Sequence, residues 1–336
     1  MTAKERTEAQ GLGARRMLSY RAVSALARLI LCAVISCTLI AALPGCGGSG
    51  EGGGTAEALP SSGSKGQATG ADFVMPAQIV VPTVADSGGT TTIDTSGVNQ
   101  GWVGARGHSG SRLKFQVTQG EMTYNYDLPN DGTPACFPIN MGNGSYLFRV
   151  MENIEGSTYA ELDSAQAEVT LQSEFDPFLI PNIFCNYTEA SECVKKAKEL
   201  MGNVKNQGEA VREICSFVAK NVSYDYDKAE KLAQSSGYIP NADATLREKK
   251  GICFDYACLS AAMLRSMGLP AQVVTGYVSP NNLYHAWTMV YVDGKWETAQ
   301  FSVQPNKWSR CDVTFASAGS GSTIGDGTSY TDRYTY

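Results

Sequence analysis

Two residues in this sequence can together make or break an acyl bond: Cys253 in "GICFDYACL" and His285 in "HAWTMVYV". A thiolate attacks a carbonyl carbon, and a histidine takes the thiol proton and returns it to a leaving amine. Position sets Cys253 apart from the other cysteines. Gly251 precedes it, and Gly268 and Pro270 close the helix predicted over "CFDYACLSAAMLRSMGLP". Cys253 then falls in the first turn, where unpaired N–H groups and the helix dipole favour a thiolate and can donate to a developing oxyanion. Cys258, mid-helix on an Ala-Leu-Ala face, reads as core. The sequence has only two histidines. His108, in the polar loop "RGHSG", reads as a surface residue, which leaves His285.

The elements around this pair change character along the chain. From about 72 to 175, short segments with period two, among them "GWVGARG", "RLKFQVTQ", "MTYNYDL", "SYLFRVMENI", "TYAELDS" and "AEVTLQS", alternate with Gly, Asn, Asp and Pro turns. That pattern predicts an antiparallel β-sandwich. After "FDPFLIPN" the period becomes helical: "ECVKKAKELMG" and "GEAVREICSFVAKNV" read as amphipathic helices, with one short helix between there and Gly251. His285 opens a strand, followed by an Asp-Gly turn and a returning strand, which predicts a hairpin. Alternation puts His285, Trp287, Met289 and Tyr291 on one face of the first strand.

The N-terminus reads as an export signal. Six Lys/Arg precede Cys46, and the apolar run 29–43 is too short to span a bilayer comfortably. "LPGC" (43–46) resembles a bacterial lipobox, which implies a signal peptide over 1–45, a diacylated Cys46 and a membrane-lipid partner at the extracytoplasmic face. Met17 is a second candidate start, and Arg15-Arg16 is a weak twin-arginine hint. Residues 47–70 are Gly/Ser-rich and read as a flexible tether. The full chain carries a net charge of −6, and beyond Cys46 there are 21 basic against 31 acidic residues, a net of −10. An acidic body argues against nucleic acid, which is bound by clustered basic residues. Seven cysteines follow Cys46, an odd number that predicts at most three disulfides and a free thiol, Cys253. No Cys/His spacing points to a metal, and no cofactor is expected.

Over about residues 185–336, "GICFDYACLSAAMLRSMGLPAQVVTGYV", "YHAWTMVYVDGKW" and "WSRCDVTFAS" resemble the transglutaminase-like family of papain-type thiol enzymes. "YDYDKAE", the closing "IGDGTSYTDRYTY" and the preceding β-domain are also similar to its bacterial lipoprotein members. The resemblance implies an α+β fold, with a β-sandwich domain over 72–180 and a transglutaminase-like domain over 181–336. It implies Cys253 as nucleophile, His285 as base and acid, and Asp312 as orienter of the imidazole. Two tryptophans compete for the family's Trp-x-x-x-Asp pattern: four residues after Trp296 stands Gln300, and four after Trp308 stands Asp312. Asp312 is favoured because "CDVTFAS" reproduces the family stretch, which makes 297–307 an insertion; Val313 departs from the usual Asp-Pro-Thr. Asp255, on the nucleophile's own helix, and Asp293, in a turn, are poorer rivals. The implied reaction passes through a thioester on a protein or peptide amide at the cell envelope, ending in transamidation, deamidation or peptide hydrolysis. The alternatives are a non-catalytic surface binding module on the same scaffold, or an adhesin whose working part is the sandwich.

Overall fold

The computed structural model describes residues 68–233, 235–279, 282–297, 301–318 and 330–336. The expected signal segment, Cys46, Met17 and Gln300 lie outside the described residues. Those that are described belong to one compact unit.

The first half is strands: β1 (Thr69–Gly70), β2 (Thr91–Asp94), β3 (Trp102–Gly107), β4 (Leu113–Gln119), β5 (Met122–Leu128), β6 (Ala135–Pro138), β7 (Gly144–Glu155) and β8 (Thr158–Val169). A three-stranded sheet, β2-β3-β6, faces a four-stranded one, β5-β4-β7-β8. Period two makes the sandwich, because every second residue can bury its side chain between the sheets. Leu113, Phe115 and Val117 meet Tyr126, Phe148 and Val150, and Val103 and Phe137 close the core from the other sheet. Two segments expected as separate strands, 158–164 and 167–173, are largely one strand, β8, which follows β7 past two register shifts.

Next come α1 (Glu192–Leu200), α2 (Gln207–Asn221), β9 (Ser223–Tyr224), α3 (Tyr226–Leu232), α4 (Ala242–Glu248), β10 (Lys250–Gly251) and α5 (Cys253–Ser266). Two helices, α3 and α4, occupy the stretch expected to hold one. The chain then runs through β11 (Ala271–Val278), β12 (Leu283–Val290), β13 (Gly294–Glu297), β14 (Ser302–Val303), β15 (Ser309–Cys311), α6 (Val313–Ser317) and β16 (Tyr330–Thr335). The order β15-β12-β11-β16 makes the second large sheet. Its Val273, Ala286 and Val290 share a core with Leu259 and Ala262 of α5, while Val274, Val278, Trp287 and Tyr330 form a separate small cluster. An aromatic seam joins this half to the sandwich. Phe184 packs 5.7 Å from Tyr126, 4.8 Å from Tyr336 and 5.1 Å from Phe254, the neighbour of Cys253.

Two local expectations are corrected. The tether does not reach Gly70: Ala68 is buried, and Thr69–Gly70 pair antiparallel with Lys295–Gly294. Gly208, in the first turn of α2, permits this approach, since a Cβ there would stand 2.4 Å from the Thr69 carbonyl oxygen. The expected hairpin after His285 does not form either. β12 pairs with β11 and β15, whereas β13 pairs with β1 and β14. The Asp-Gly step leaves the sheet: β15 holds the edge of β12 that a returning strand would have used, and β13 pairs with β1 and β14 instead.

Candidate active site

Cys253 is the first residue of α5, directly after the N-cap Ile252. What fixes this turn is Asp255, three residues beyond the cap, whose Oδ2 accepts the Ile252 N–H at 2.8 Å. A carboxylate at this position satisfies an otherwise unpaired amide and suits the positive end of the dipole. Asp255 is fully buried, and it is held in turn by the Tyr238 hydroxyl and by Lys228 Nζ at 2.7 Å. Gly251 makes room for it, since a Cβ there would meet the Asp255 Cβ at 2.7 Å and Oδ2 at 3.0 Å. Gly251→Ala is therefore expected to destabilise the fold by about 1–3 kcal/mol through overpacking and to slow alkylation of Cys253. Urea unfolding together with thiol labelling checks both; an unchanged midpoint and rate would refute the fit.

His285 sits on β12 opposite Gly276 of β11, 3% exposed. The pairing Thr288↔Cys311 brings β15 alongside and delivers Asp312 to the imidazole. His285 Nε2 lies 2.8 Å from Asp312 Oδ2. Asp312, also fully buried, accepts the Tyr330 hydroxyl at 2.9 Å on the same oxygen and the Phe315 N–H at 3.0 Å on Oδ1, capping α6. Phe315 stacks on the imidazole with ring centroids 4.5 Å apart. The Cys253 thiol is near enough to the ring to favour its charged form. With Nε2 committed to Asp312, Nδ1 is the nitrogen left for sulfur. Cys253, His285 and Asp312 thus come together, and Asp293, in a loop, is not part of the group. His108 is exposed, its backbone bridged to Asp131 of the sandwich.

Burial works against a charged imidazole, but the Asp312 carboxylate, its hydrogen bond and the Cys253 thiol outweigh it and hold the His285 pKa up at about 10. Because the folded value lies above the ordinary 6.5, the stability His285 contributes is fully present below about pH 6.5 and is lost as pH rises through about 10. Unfolding midpoints between pH 6 and 10.5 should therefore fall more steeply for the native chain than for His285→Phe, which lacks the titrating ring. Parallel curves would contradict the charged pair.

Tyr224 carries no role in the sequence reading, yet the structure brings it to the site. The parallel bridge Tyr224↔Gly251 seats it beside the nucleophile turn, half-buried, its ring 5.0 Å from Tyr226. Burial and then charge at Cys253 push its hydroxyl above the usual range. No periodicity announces a two-residue parallel bridge, so "YDYDKAE" shows only the residue, not its place.

Trp308 explains why Asp312 and not the Trp296 region serves the imidazole. Its ring packs against Phe178 at 5.5 Å, Tyr291 at 5.6 Å and Phe175 at 6.1 Å, which pins the chain just ahead of β15. Trp296 is buried elsewhere, stacked on Phe301 at 4.6 Å.

Residues 194–313 match the family model of the transglutaminase-like superfamily. A UPF0252 protein of Methanocaldococcus jannaschii is 30% identical over 110 residues, which are 30% of this chain and 31% of that protein. The chain thus spans about three tenths of the length of the curated relatives it matches. Among solved structures, the periplasmic domain of TgpA from Pseudomonas aeruginosa aligns with 79% of this chain and 89% of its own, at 15% identity and a TM-score of 0.30. Legionella pneumophila LapG aligns with 38% of this chain and 62% of its own, at 15% identity and a TM-score of 0.27.

Proposed function

Because residues 194–313 match the family model of the transglutaminase-like superfamily, we propose that this chain is a thiol acyl-transfer enzyme with Cys253 as nucleophile, His285 as base and acid, and Asp312 as the group that orients the imidazole. The observation that carries this reading is the buried His285–Asp312 pair, Nε2 to Oδ2 at 2.8 Å, with Cys253 at the head of α5 near enough to favour the charged ring. The thiolate attacks a carboxamide or peptide carbonyl, and the oxygen that gains charge faces the open N–H groups of the first turn of α5. The imidazolium gives its proton to the departing amine, leaving a thioester. Water then yields hydrolysis or deamidation, and an incoming amine yields transamidation; in both, His285 takes the proton from the attacking group. The substrate is a protein or peptide. The lipobox-like "LPGC" supports anchoring through a lipidated Cys46 at the extracytoplasmic face of the cell membrane.

The test is iodoacetamide labelling of Cys253 across pH, read by peptide mass spectrometry. Rapid labelling that persists well below about pH 7 and is lost in His285→Ala supports an activated thiolate–imidazolium pair. Labelling that rises only near the ordinary thiol pKa of about 8.5 would sink the enzyme reading and leave a binding module on this scaffold.

A further inference from the structure

Asp312 holds more than the imidazole. Two donors converge on its Oδ2: His285 Nε2 at 2.8 Å and the Tyr330 hydroxyl at 2.9 Å. Tyr330 stands in the closing stretch "SYTDRYTY", and no spacing there marks it for the site. It pairs with Val278 of β11, which pairs in turn with Leu283 of β12, two residues before His285. Its ring, 8% exposed, is fixed on two sides. Trp287 meets it edge-on with centroids 4.9 Å apart, and the Arg310 guanidinium of β15 lies 3.8 Å over its centroid. Gly276 allows this, since a Cβ there would stand 2.1 Å from the Thr331 carbonyl oxygen and 2.9 Å from the Trp287 ring. A cation on the face of a phenol is attracted to the ring and draws electron density from it, which strengthens the hydroxyl as a donor. Among the described residues, the charged or titratable groups acting on His285 are Asp312 and Cys253, and those acting on Tyr330 are Asp312 and Arg310. From β11 come Val274 and Val278, from β12 Trp287 and Met289, and from α6 Phe315, none of which titrates. Cys311 of β15 belongs to the main core instead.

We propose that Tyr330 is a positioning residue of the thiol site, whose hydroxyl takes up part of the Asp312 charge and so lets His285 release the proton that the reaction needs. This role rests on the acyl-transfer reading of Cys253 and His285. A buried carboxylate that shared its charge with nothing else would hold the imidazolium too firmly. A general acid works best when its proton affinity lies near the operating pH. The Tyr330 hydroxyl turns the positive end of its dipole toward the oxygen that His285 faces. It therefore stabilises the carboxylate and opposes the charged ring at once. It also fills an acceptor position on Oδ2, which, with the Phe315 N–H on Oδ1, fixes the plane of the carboxylate for Nε2. Tyr330 itself loses no proton in this role. Burial and then the Asp312 charge push its hydroxyl well above the usual range, so it stays a donor throughout.

The test is nuclear magnetic resonance of the full chain with 15N-labelled histidine, native and as Tyr330→Phe, which keeps the ring against Trp287 and Arg310. The sequence has only two histidines, and His108→Gln assigns their signals. In Tyr330→Phe the His285 titration midpoint is expected to rise by about half a pH unit or more, while iodoacetamide labelling of Cys253 at pH 6 stays within about twofold of the native rate. A hydroxyl that is only a structural prop predicts the opposite: without it Asp312 loosens, and midpoint and labelling both fall. An unchanged or lowered midpoint, or loss of the fold in this isosteric variant, would overturn the proposal. Where the chain unfolds before the titration is complete, the Nε2 proton signal at pH 7 decides. A downfield move in Tyr330→Phe supports a charge newly concentrated on Asp312, and no move or an upfield one refutes it. Failure of the acyl-transfer reading shows elsewhere, in native Cys253 that labels only near about pH 8.5, whereas the His285 midpoint reports on Tyr330 in either case.

Discussion

Asp312→Asn is expected to slow acylation of Cys253 by on the order of 10²–10⁴-fold, by analogy with the loss seen when a triad carboxylate becomes an amide. The reason is specific to what Asp312 does here. Its Oδ2 faces His285 Nε2 at 2.8 Å and accepts the Tyr330 hydroxyl, in a pocket closed to water. An amide of the same shape preserves the packing and the α6 cap but contributes no negative charge. The Asp312 charge, the largest of the causes that hold the imidazole pKa up at about 10, then disappears, while burial, which lowers it, remains and only Cys253 still favours the charged ring. The ring then holds its proton less firmly and serves less well as the cation beside the thiolate. His285→Ala should lose a comparable factor and in addition slow iodoacetamide labelling at pH 6 by about tenfold or more, part of the lost thiolate fraction being offset by the higher nucleophilicity of a more basic thiolate. Pre-steady-state acylation by an activated ester, followed by intact-protein mass spectrometry, reads both variants. If Asp312→Asn acylates at the native rate while folded, the carboxylate has no part in the chemistry.

The nucleophile turn was legible in the sequence because every signal for it is local: a glycine, a cysteine, an apolar helical run and a Gly-x-Pro stop. His285 was legible by elimination, and Asp312 through the motif beginning at Trp308. The structure supplies the physical cause for that motif, an aromatic nest of Phe175, Phe178, Tyr291 and Trp308 that fixes where β15 starts. What local pattern could not provide were the pairings between distant segments. The Asp-Gly turn after His285 gives no hairpin because β15, beyond the turn, takes the free edge of β12, while Thr69–Gly70, more than two hundred residues earlier, pairs with β13. Tyr224 reaches the site through two bridge residues, too few to leave a periodicity. The sequence alone offers Asp255 only as a poorer rival orienter, because its place at the head of α5 depends on Tyr238 and Lys228, which come from loop and helix segments upstream.

Asp255→Ala is expected to lower stability by about 2–4 kcal/mol. The carboxylate is fully buried and takes hydrogen bonds from the Ile252 N–H, the Tyr238 hydroxyl and Lys228 Nζ. Removing it leaves the amide at the head of α5 without an acceptor and strands a lysine side chain that is only 26% exposed. Breaking a fully buried pair costs about 3–5 kcal/mol, and the figure is set lower here because Lys228 keeps some contact with water. Asp255→Asn should fall between the native chain and the alanine variant. Its amide oxygen can still accept from Ile252, but it offers Lys228 no counter-charge and its NH2 group needs a partner of its own. The same change reaches the chemistry, because Ile252 and Cys253 share the turn that Asp255 ties down. In the folded fraction, then, Cys253 labelling at pH 6 should slow in the order native, asparagine, alanine, with His285 and Asp312 untouched. Urea unfolding and labelling of the same samples separate the two effects. Should alanine unfold at the native midpoint, the buried carboxylate does not hold the turn. Should stability fall while labelling of the folded protein stays at the native rate, the nucleophile is positioned by the sheet and the His285 contact instead.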